Sequence, residues 1–200
     1  GTKVTLTVEG LQGGHSGVMI DKGRVNADIL SARILNQLNV LSMTGAKTDF
    51  ELISINGGDK GNAIPLKCEI ELCSKNPEKL KNEAEKYIEI IKTEIAHREP
   101  QFKATLEIGK TDSYAVISEI KDLIITTLLC IPNGIMEMSA EIKGLVETSL
   151  NLGVLETKAD KIIFHSALRS NKKTALSYLE ERLKVFYKNA SCDIEAFGHY

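Results

Sequence analysis

Two glycine-rich segments hold the polar residues that are best placed to do chemistry. The first, residues 10–23, contains five glycines around His15, between a strand-like and a helix-like stretch. Glycine lets a backbone approach another group closely. A histidine at such a corner can donate a hydrogen bond to an oxyanion or a carboxylate. The alternative interpretation is a tight turn that carries an exposed histidine without a role.

The second segment, residues 56–65, places Asn62 where its amide could contact a carboxylate or a peptide, although an ordinary hairpin connection has the same composition. Arg169 ends an apolar stretch, and its guanidinium could bind a carboxylate through two hydrogen bonds. A surface salt bridge is the other interpretation of Arg169. For Asn151 a turn or a strand edge is the default expectation.

The spacing of metal ligands and nucleophiles excludes most hydrolytic sites. A two-metal hydrolase needs roughly five or six converging His, Asp or Glu ligands. The histidines are scattered through four different predicted elements, and the cysteines match no zinc-binding or redox spacing. These residues are His15, His97, His165 and His199, and Cys68, Cys73, Cys130 and Cys192. There is also no G-x-S-x-G motif and no phosphate-loop pattern. We therefore expect no metal site within this chain.

Composition indicates an ordinary globular chain. It has 200 residues, of which 42% are hydrophobic and 26% charged, and its net charge is -2. This length allows one domain or two small ones. Without a basic surplus, nucleic acid is disfavoured as a partner, and the strands lack the interleaved aromatic and basic residues of an RNA-binding sheet. No apolar run is long enough to predict a membrane span. We expect four reduced, mostly buried cysteines, as is typical of the cytosol.

Hydrophobic periodicity predicts the elements that position these residues. Val4, Leu6 and Val8 alternate with polar residues, as in a half-buried strand. The predicted elements of the first half, about residues 1–110, are strand 2–9, helix 24–41, strands 50–55 and 66–73, a helix capped by Asn76 with Pro77 at its first position, and strand 102–108. This half therefore reads β-α-β-β-α-β.

The second half, about residues 111–200, repeats that order loosely. Its predicted elements are helix 118–130, strands 150–156 and 162–168, a helix capped by Asn171, and strand 193–197. The segments that begin at Asn76 and Asn171 share a pattern of strand, cap, amphipathic helix and strand. We predict an α+β fold of two β-α-β-β-α-β-like halves, with a mostly antiparallel sheet and helices on one face.

Several motifs occur together and in order along the chain. They are GGHSG at 13–17, GRVNA at 23–27, GG at 57–58, NAIP at 62–65, PNG at 132–134 and GLVETSLNLG at 144–153. The set resembles the lid domain of M20-type metallopeptidases, and within them the aminoacyl-histidine dipeptidase branch, which cleaves Xaa-His or β-alanyl-histidine dipeptides. The resemblance covers essentially the whole chain.

The resemblance implies a division of labour between this chain and flanking sequence. In that family the lid is inserted in a catalytic domain that carries two zinc ions or other divalent metals. The chain, residues 1–200, would then be a lid cut from a longer cytoplasmic protein and would be inactive alone. Its partners would be its own catalytic domain, a dipeptide substrate and a second copy of itself. A double-length lid could also replace that second copy within one chain.

The resemblance also assigns roles to matched positions. His15 corresponds to the lid histidine that stabilises the oxyanion, and Asn62 to an asparagine that contacts substrate. Arg169 is similar to the arginine that binds the substrate carboxylate, and Asn151 would be the second-half counterpart of Asn62. A different class of function stays open, which is a free-standing α+β module that binds a small molecule or regulates another protein.

Overall fold

The computed structural model describes residues 1–110, 115 and 117–198. The strands within these ranges are β1 (Thr2–Glu9), β2 (Gly14–His15), β3 (Glu51–Gly57), β4 (Ala63–Ile64), β5 (Cys68–Ser74), β6 (Lys103–Lys110), β7 (Gly134–Met138), β8 (Val146–Thr157) and β9 (Ile162–Ser170). The helices are α1 (Ala27–Met43), α2 (Pro77–Ile95), α3 (Ser118–Cys130) and α4 (Lys173–Asn189), with a short 3₁₀ helix, Ile20–Lys22. None of the described helices combines the length and the apolar character needed to cross a bilayer.

Seven of the described strands form one antiparallel sheet. Its order is β6-β1-β5-β3-β8-β7, and β9 also pairs with β8. The strands β2 and β4 form a separate two-stranded sheet. The predicted α+β class with antiparallel pairing is confirmed. The two predicted halves nevertheless share one sheet, which they join where Gly57 of β3 pairs with Leu155 of β8.

A single hydrophobic core lies between this sheet and the helices. The predicted alternation in β1 is confirmed, because Val4, Leu6 and Val8 are fully buried. Side chains from all four helices α1–α4 join the same cluster of buried residues. Helix α2 buries one apolar stripe, from Leu80 to Ile95. The amphipathic pattern of each element therefore points to one common interior.

The second half differs from its predicted order. Strand β7 was not predicted, because its residues are only half-buried or exposed and show no clear alternation. The predicted strand at 193–197 was wrong, since that segment forms no ladder and all its residues are exposed. Alternation alone does not make a strand where neither face has a core to cover. The described second half reads α-β-β-β-α.

The predicted helix caps were only partly right. Asn76 does precede α2, with Pro77 at the first position, but its side chain makes no capping bond. Asn171 does not cap α4, because Lys172 occupies that position and the Asn171 N–H donates to the Glu147 carbonyl. Asn26 caps α1 instead, and its Oδ1 accepts from two backbone N–H groups. The general preference of asparagine for the N-cap position therefore did not show which asparagine caps a helix.

The four cysteines are free, and only Cys68 is buried. Cys73 and Cys192 are partly exposed and Cys130 is exposed, so the expectation of mostly buried cysteines was wrong. Cys68 shares its surroundings with two other buried polar groups, Asp28 and Ser31 of α1. This cluster lies against Gly57, where any Cβ atom would overlap the Asp28 carboxylate.

Asp28 should make the stability of the chain depend on pH. Neither of its carboxylate oxygens has a hydrogen-bond partner among the described residues. Burial raises the pKa of Asp28 and the neighbouring Cys68 thiol lowers it, and the net result is a pKa of about 7. In the unfolded chain the carboxyl ionises near its ordinary pKa, so the unfolded state releases its proton first as the pH rises. The contribution of Asp28 to stability is complete below about pH 4 and is lost as the pH approaches 7.

We therefore predict that Asp28→Asn flattens the pH dependence of unfolding. The free energy of unfolding of the original chain should fall by roughly 2–4 kcal/mol more between pH 4 and pH 8 than that of the variant. Urea titrations at both pH values measure this difference. Asp160→Asn, at an exposed position, is the matched control and should leave the slope unchanged. If the free energy of unfolding changes equally with pH in Asp28→Asn and in the original chain, Asp28 is not the group responsible.

Candidate functional site

The first glycine-rich segment forms a loop that carries His15 onto the face of β8 opposite the core. Its short strand β2 pairs with β4, so that His15 lies opposite Ala63, and the Ser16 N–H donates to the Asn62 carbonyl over 2.9 Å. Gly13 adopts a φ of 57°, a conformation that favours glycine. The two glycine-rich segments singled out from the sequence are therefore bonded to each other.

The His15 side chain is exposed and its imidazole orientation is fixed by a local hydrogen bond. The Gly17 N–H donates to His15 Nδ1 over 3.1 Å. Because Nδ1 accepts, the proton of the neutral ring is on Nε2. Two further backbone groups, the N–H of Val18 and of Met19, donate to the His15 carbonyl. The loop thus presents one N–H donor, His15 Nε2, toward solvent.

Arg169 lies beside His15 although the two are far apart in sequence. A Cβ atom placed on Gly17 would lie 3.1 Å from His15 Cε1 and 3.2 Å from Arg169 Nε. Both side chains therefore flank Gly17. Arg169 is exposed on β9, opposite Ser149 of β8, and forms no ion pair within the described part of the chain. The His15 imidazole and the Arg169 guanidinium therefore lie close together at Gly17.

Asn62 and Asn151 take different positions at the site. The Asn62 side chain is exposed and makes no hydrogen bond to the residues that the structure describes. Asn151 is only 2% exposed and lies in the middle of β8, so it occupies neither a turn nor an edge. Its Nδ2 donates to the Ala63 carbonyl over 2.7 Å. Asn151 therefore holds the strand that pairs with His15.

Three glycines bring the second glycine-rich segment down onto β8. A Cβ atom on Gly153 would overlap the backbone of Gly61, and one on Gly58 would overlap the carbonyl of Gly153. The ladder between β8 and β9 shifts register at this place, between Leu152 and Val154. The missing side chains thus allow backbone to pack directly on backbone, which sets the distance between the loops and the sheet.

Comparisons with known proteins bear on the family of the chain. The family model described as the peptidase dimerisation domain matches residues 3–101. Residues 3–101 therefore belong to the peptidase dimerisation domain family.

Two longer proteins resemble the chain over nearly all its length. The cytosol non-specific dipeptidase of Escherichia coli (strain K12) is 34% identical over 197 residues, which cover 98% of this chain and 39% of that protein. The crystal structure of aminoacylhistidine dipeptidase from Vibrio alginolyticus superposes with a TM-score of 0.87 at 33% identity, and covers 96% of this chain and 39% of that one. The chain spans about two fifths of the length of these relatives.

The described residues can be tested for a cluster of metal ligands. No group of three or more His, Cys, Asp or Glu side chains converges there. The donor set near His15 is an imidazole, a guanidinium and two amides, which suits anions and carbonyl groups rather than a divalent cation. His199 lies outside the described residues. Zinc therefore does not fit the residues described here.

Sequence reasoning missed two residues of this site. Arg24 donates from Nη1 to the Gly13 carbonyl and so supports the loop from behind. His165 lies on β9 four residues before Arg169, and a Cβ atom on Gly61 would be 2.8 Å from its Cε1. Its ring also contacts Phe197, with centroids 5.4 Å apart. Strand alternation places residues 165, 167 and 169 on one face of β9, which could have identified His165.

We predict that Gly153→Ala disturbs the site more than the rest of the chain. The new methyl group must displace the backbone of Gly61, and overpacking of this kind costs about 1–3 kcal/mol. The free energy of unfolding from urea titration, together with amide chemical shifts of residues 58–64, measures the effect. Gly109→Ala is the matched control, since a Cβ atom there meets nothing within 4 Å. Equal destabilisation by both variants would refute the close-packing argument.

Proposed function

We propose that this chain is the lid domain of a dipeptidase that hydrolyses Xaa-His-type dipeptides. The proposal is supported by the likeness to aminoacylhistidine dipeptidase along nearly the whole chain. The observation that carries it is the convergence of His15 and Arg169 around Gly17. A dipeptide has a carbonyl that becomes negatively charged during hydrolysis and a carboxylate at its C-terminal end. The two side chains match these two charges.

In this proposal His15 donates from Nε2 to the oxygen of the scissile carbonyl. Its Nδ1 is already occupied by the Gly17 N–H, so the donor is oriented before substrate arrives. A donor held in place costs no reorganisation when the charge develops, which is the basis of oxyanion stabilisation. Arg169 binds the C-terminal carboxylate, for which a planar guanidinium with two parallel N–H groups is suited.

Asn62 contributes a side-chain amide that makes no hydrogen bond to the described residues. Its backbone carbonyl is used by Ser16, and its side chain is left available for a peptide group of the substrate. Asn151 was expected among the substrate-binding residues. Its burial and its bond to the Ala63 carbonyl support an indirect role, in which Asn151 fixes the strand opposite His15 and does not contact substrate.

The remaining parts of the proposal concern sequence outside this chain. We propose that a catalytic domain supplies two zinc ions or other divalent metals, since the residues described here do not form a metal site. Closure of the lid onto that domain would exclude water from the reaction. The two halves, about residues 1–110 and 111–200, act as one lid. A second copy of the chain is a further partner, consistent with the description of the family, and a cytoplasmic location matches the cytosol relative.

The first experiment compares this chain with the polypeptide encoded by its uninterrupted reading frame. Both are assayed for release of histidine from β-alanyl-histidine and other aminoacyl-histidine dipeptides with added zinc. We expect cleavage by the longer polypeptide only, because the described residues of the lid provide no metal site. Cleavage by the 200-residue chain alone would show that a complete active site had been missed. Absence of cleavage by both would favour a small-molecule-binding module.

If His15 donates to the oxyanion as proposed, His15→Ala in the longer polypeptide should lower kcat by about 10²–10³-fold. This is the usual cost of losing one oxyanion donor. The exposed position of His15 means that the thermal midpoint should change little. Steady-state kinetics and a thermal melt measure the two effects. His97→Ala, at an exposed position after α2, is the control and should leave kcat unchanged. An unchanged kcat for His15→Ala would remove His15 from the mechanism.

A further inference from the structure

The loop that carries His15 is closed at its base by one carboxylate. Glu99 lies between α2 and β6 and is 1% exposed. Its Oε2 accepts from the Gln12 N–H over 2.7 Å, and its Oε1 accepts from the Val25 N–H over 2.8 Å. Residues 12–25 begin and end at these two bonds, and we call them the histidine loop. Loops of this length with closely spaced ends are compact units that frequently carry function.

Glu99 is itself held by the turn that follows α2. Its N–H donates to the Ile95 carbonyl over 2.8 Å, and its carbonyl accepts from the Phe102 N–H. Neighbouring residues reinforce the same contact, because Gln12 Nε2 donates to the Arg98 carbonyl and Arg98 Nη1 donates to the Gly23 carbonyl. The base of the histidine loop is therefore attached to a rigid part of the domain by groups from one short turn.

A buried carboxylate is stabilised only when its oxygens receive hydrogen bonds. At Glu99 the two described donors are backbone N–H groups at opposite ends of the histidine loop. An apolar residue of equal size could fill the space, but it would accept no hydrogen bond from either N–H group and so would not orient the ends of the loop. The carboxylate therefore specifies the path of the loop as well as its contact area.

We propose that Glu99 is a positioning residue, which clamps the two ends of the histidine loop and thereby sets the orientation of His15. Its effect on catalysis rests on the proposed function, whereas its effect on the loop belongs to this chain alone. Glu99 does not touch substrate in this proposal. It acts through His15, because a misplacement of about 1 Å in a catalytic group can cost 10²-fold in rate.

The loop effect is tested on the 200-residue chain by hydrogen exchange. Glu99→Gln keeps the size of the side chain, but its NH₂ group faces one of the two N–H donors and loses that bond. We expect amides of residues 12–25 to exchange at least about tenfold faster, while amides of β1 and β5 keep their protection. Glu107→Gln, at an exposed position on β6, is the matched control and should change neither. Unchanged exchange in the histidine loop of Glu99→Gln would overturn the proposal.

Gln12→Ala provides a second route if Glu99→Gln does not fold. Gln12 is exposed, so its truncation leaves the core intact but removes the bond to the Arg98 carbonyl. We expect faster exchange in the histidine loop, by a smaller factor than for Glu99→Gln. Because Gln12→Ala keeps the Gln12 N–H bond to Glu99, complete loss of protection in the histidine loop would overturn the proposal, since the loop would then be held by the Gln12 side chain rather than by Glu99.

The catalytic effect is tested in the longer polypeptide by a double-mutant cycle with β-alanyl-histidine. Glu99→Gln should lower kcat about 10- to 100-fold with a smaller change in KM, and should cause no further loss in a His15→Ala background. An equal loss in both backgrounds would show a general structural role and overturn the positioning role. If the original longer polypeptide cleaves nothing, the proposed function fails, and the exchange experiment decides the clamp independently.

Discussion

The structure depends on one contact in which backbone packs directly on backbone. Gly153 of β8 lies against Gly61, and Gly58 lies against Gly153, with no room for a side chain at these positions. This contact fixes how far the second glycine-rich segment stands from the sheet. The same segment pairs with β2, which contains His15, so the contact also fixes the distance between His15 and β8. Asn151 then locks the arrangement with its bond to the Ala63 carbonyl.

Strand β8 carries this constraint because it connects all parts of the sheet. It pairs with β3 of the first half and with β7 and β9 of the second. One of its faces contributes Leu150 and Leu152 to the core, while the other presents Ser149, Asn151 and Gly153 to the loops. The polar positions of this strand are nearly as buried as the apolar ones. A strand that is covered on both faces gives a precise platform for the side chains that stand beside it.

Most of the fold was predictable from periodicity, because the apolar residues of an element with one buried face recur at the period of a helix or a strand. Strand β1 and helix α2 illustrate this, and α3 lies where it was predicted. The segment at 193–197 has the same alternation but no core to cover, so periodicity misled there. The position of a residue in the sheet could not be predicted either, and Asn151 was expected in a turn or at a strand edge although it lies in a central strand.

The candidate site was predictable in its parts but not in its connections. The glycine-rich segments pointed to His15 and Asn62 because glycine clusters indicate close backbone approach. The meeting of Arg169 with His15 joins residues more than 150 positions apart, and neither residue type nor local spacing encodes that distance. Glu99 was missed for the same reason, since a glutamate near a helix end is usually exposed. Its burial is a property of the tertiary structure alone.

The polar supports around His15 follow from the composition of the loop that carries it. Ordering a residue costs about 1–2 kcal/mol of backbone entropy, and glycine loses the most. The histidine loop is rich in glycine, and its apolar Val18 is 69% exposed, so burial of side chains offsets only part of that cost. The loop is held instead by directional bonds at several points. Glu99 fixes its two ends, Arg24 holds the Gly13 carbonyl, and the Asn62 carbonyl accepts from Ser16. Such bonds fix orientation, which is what an oxyanion donor requires and what apolar packing alone does not provide.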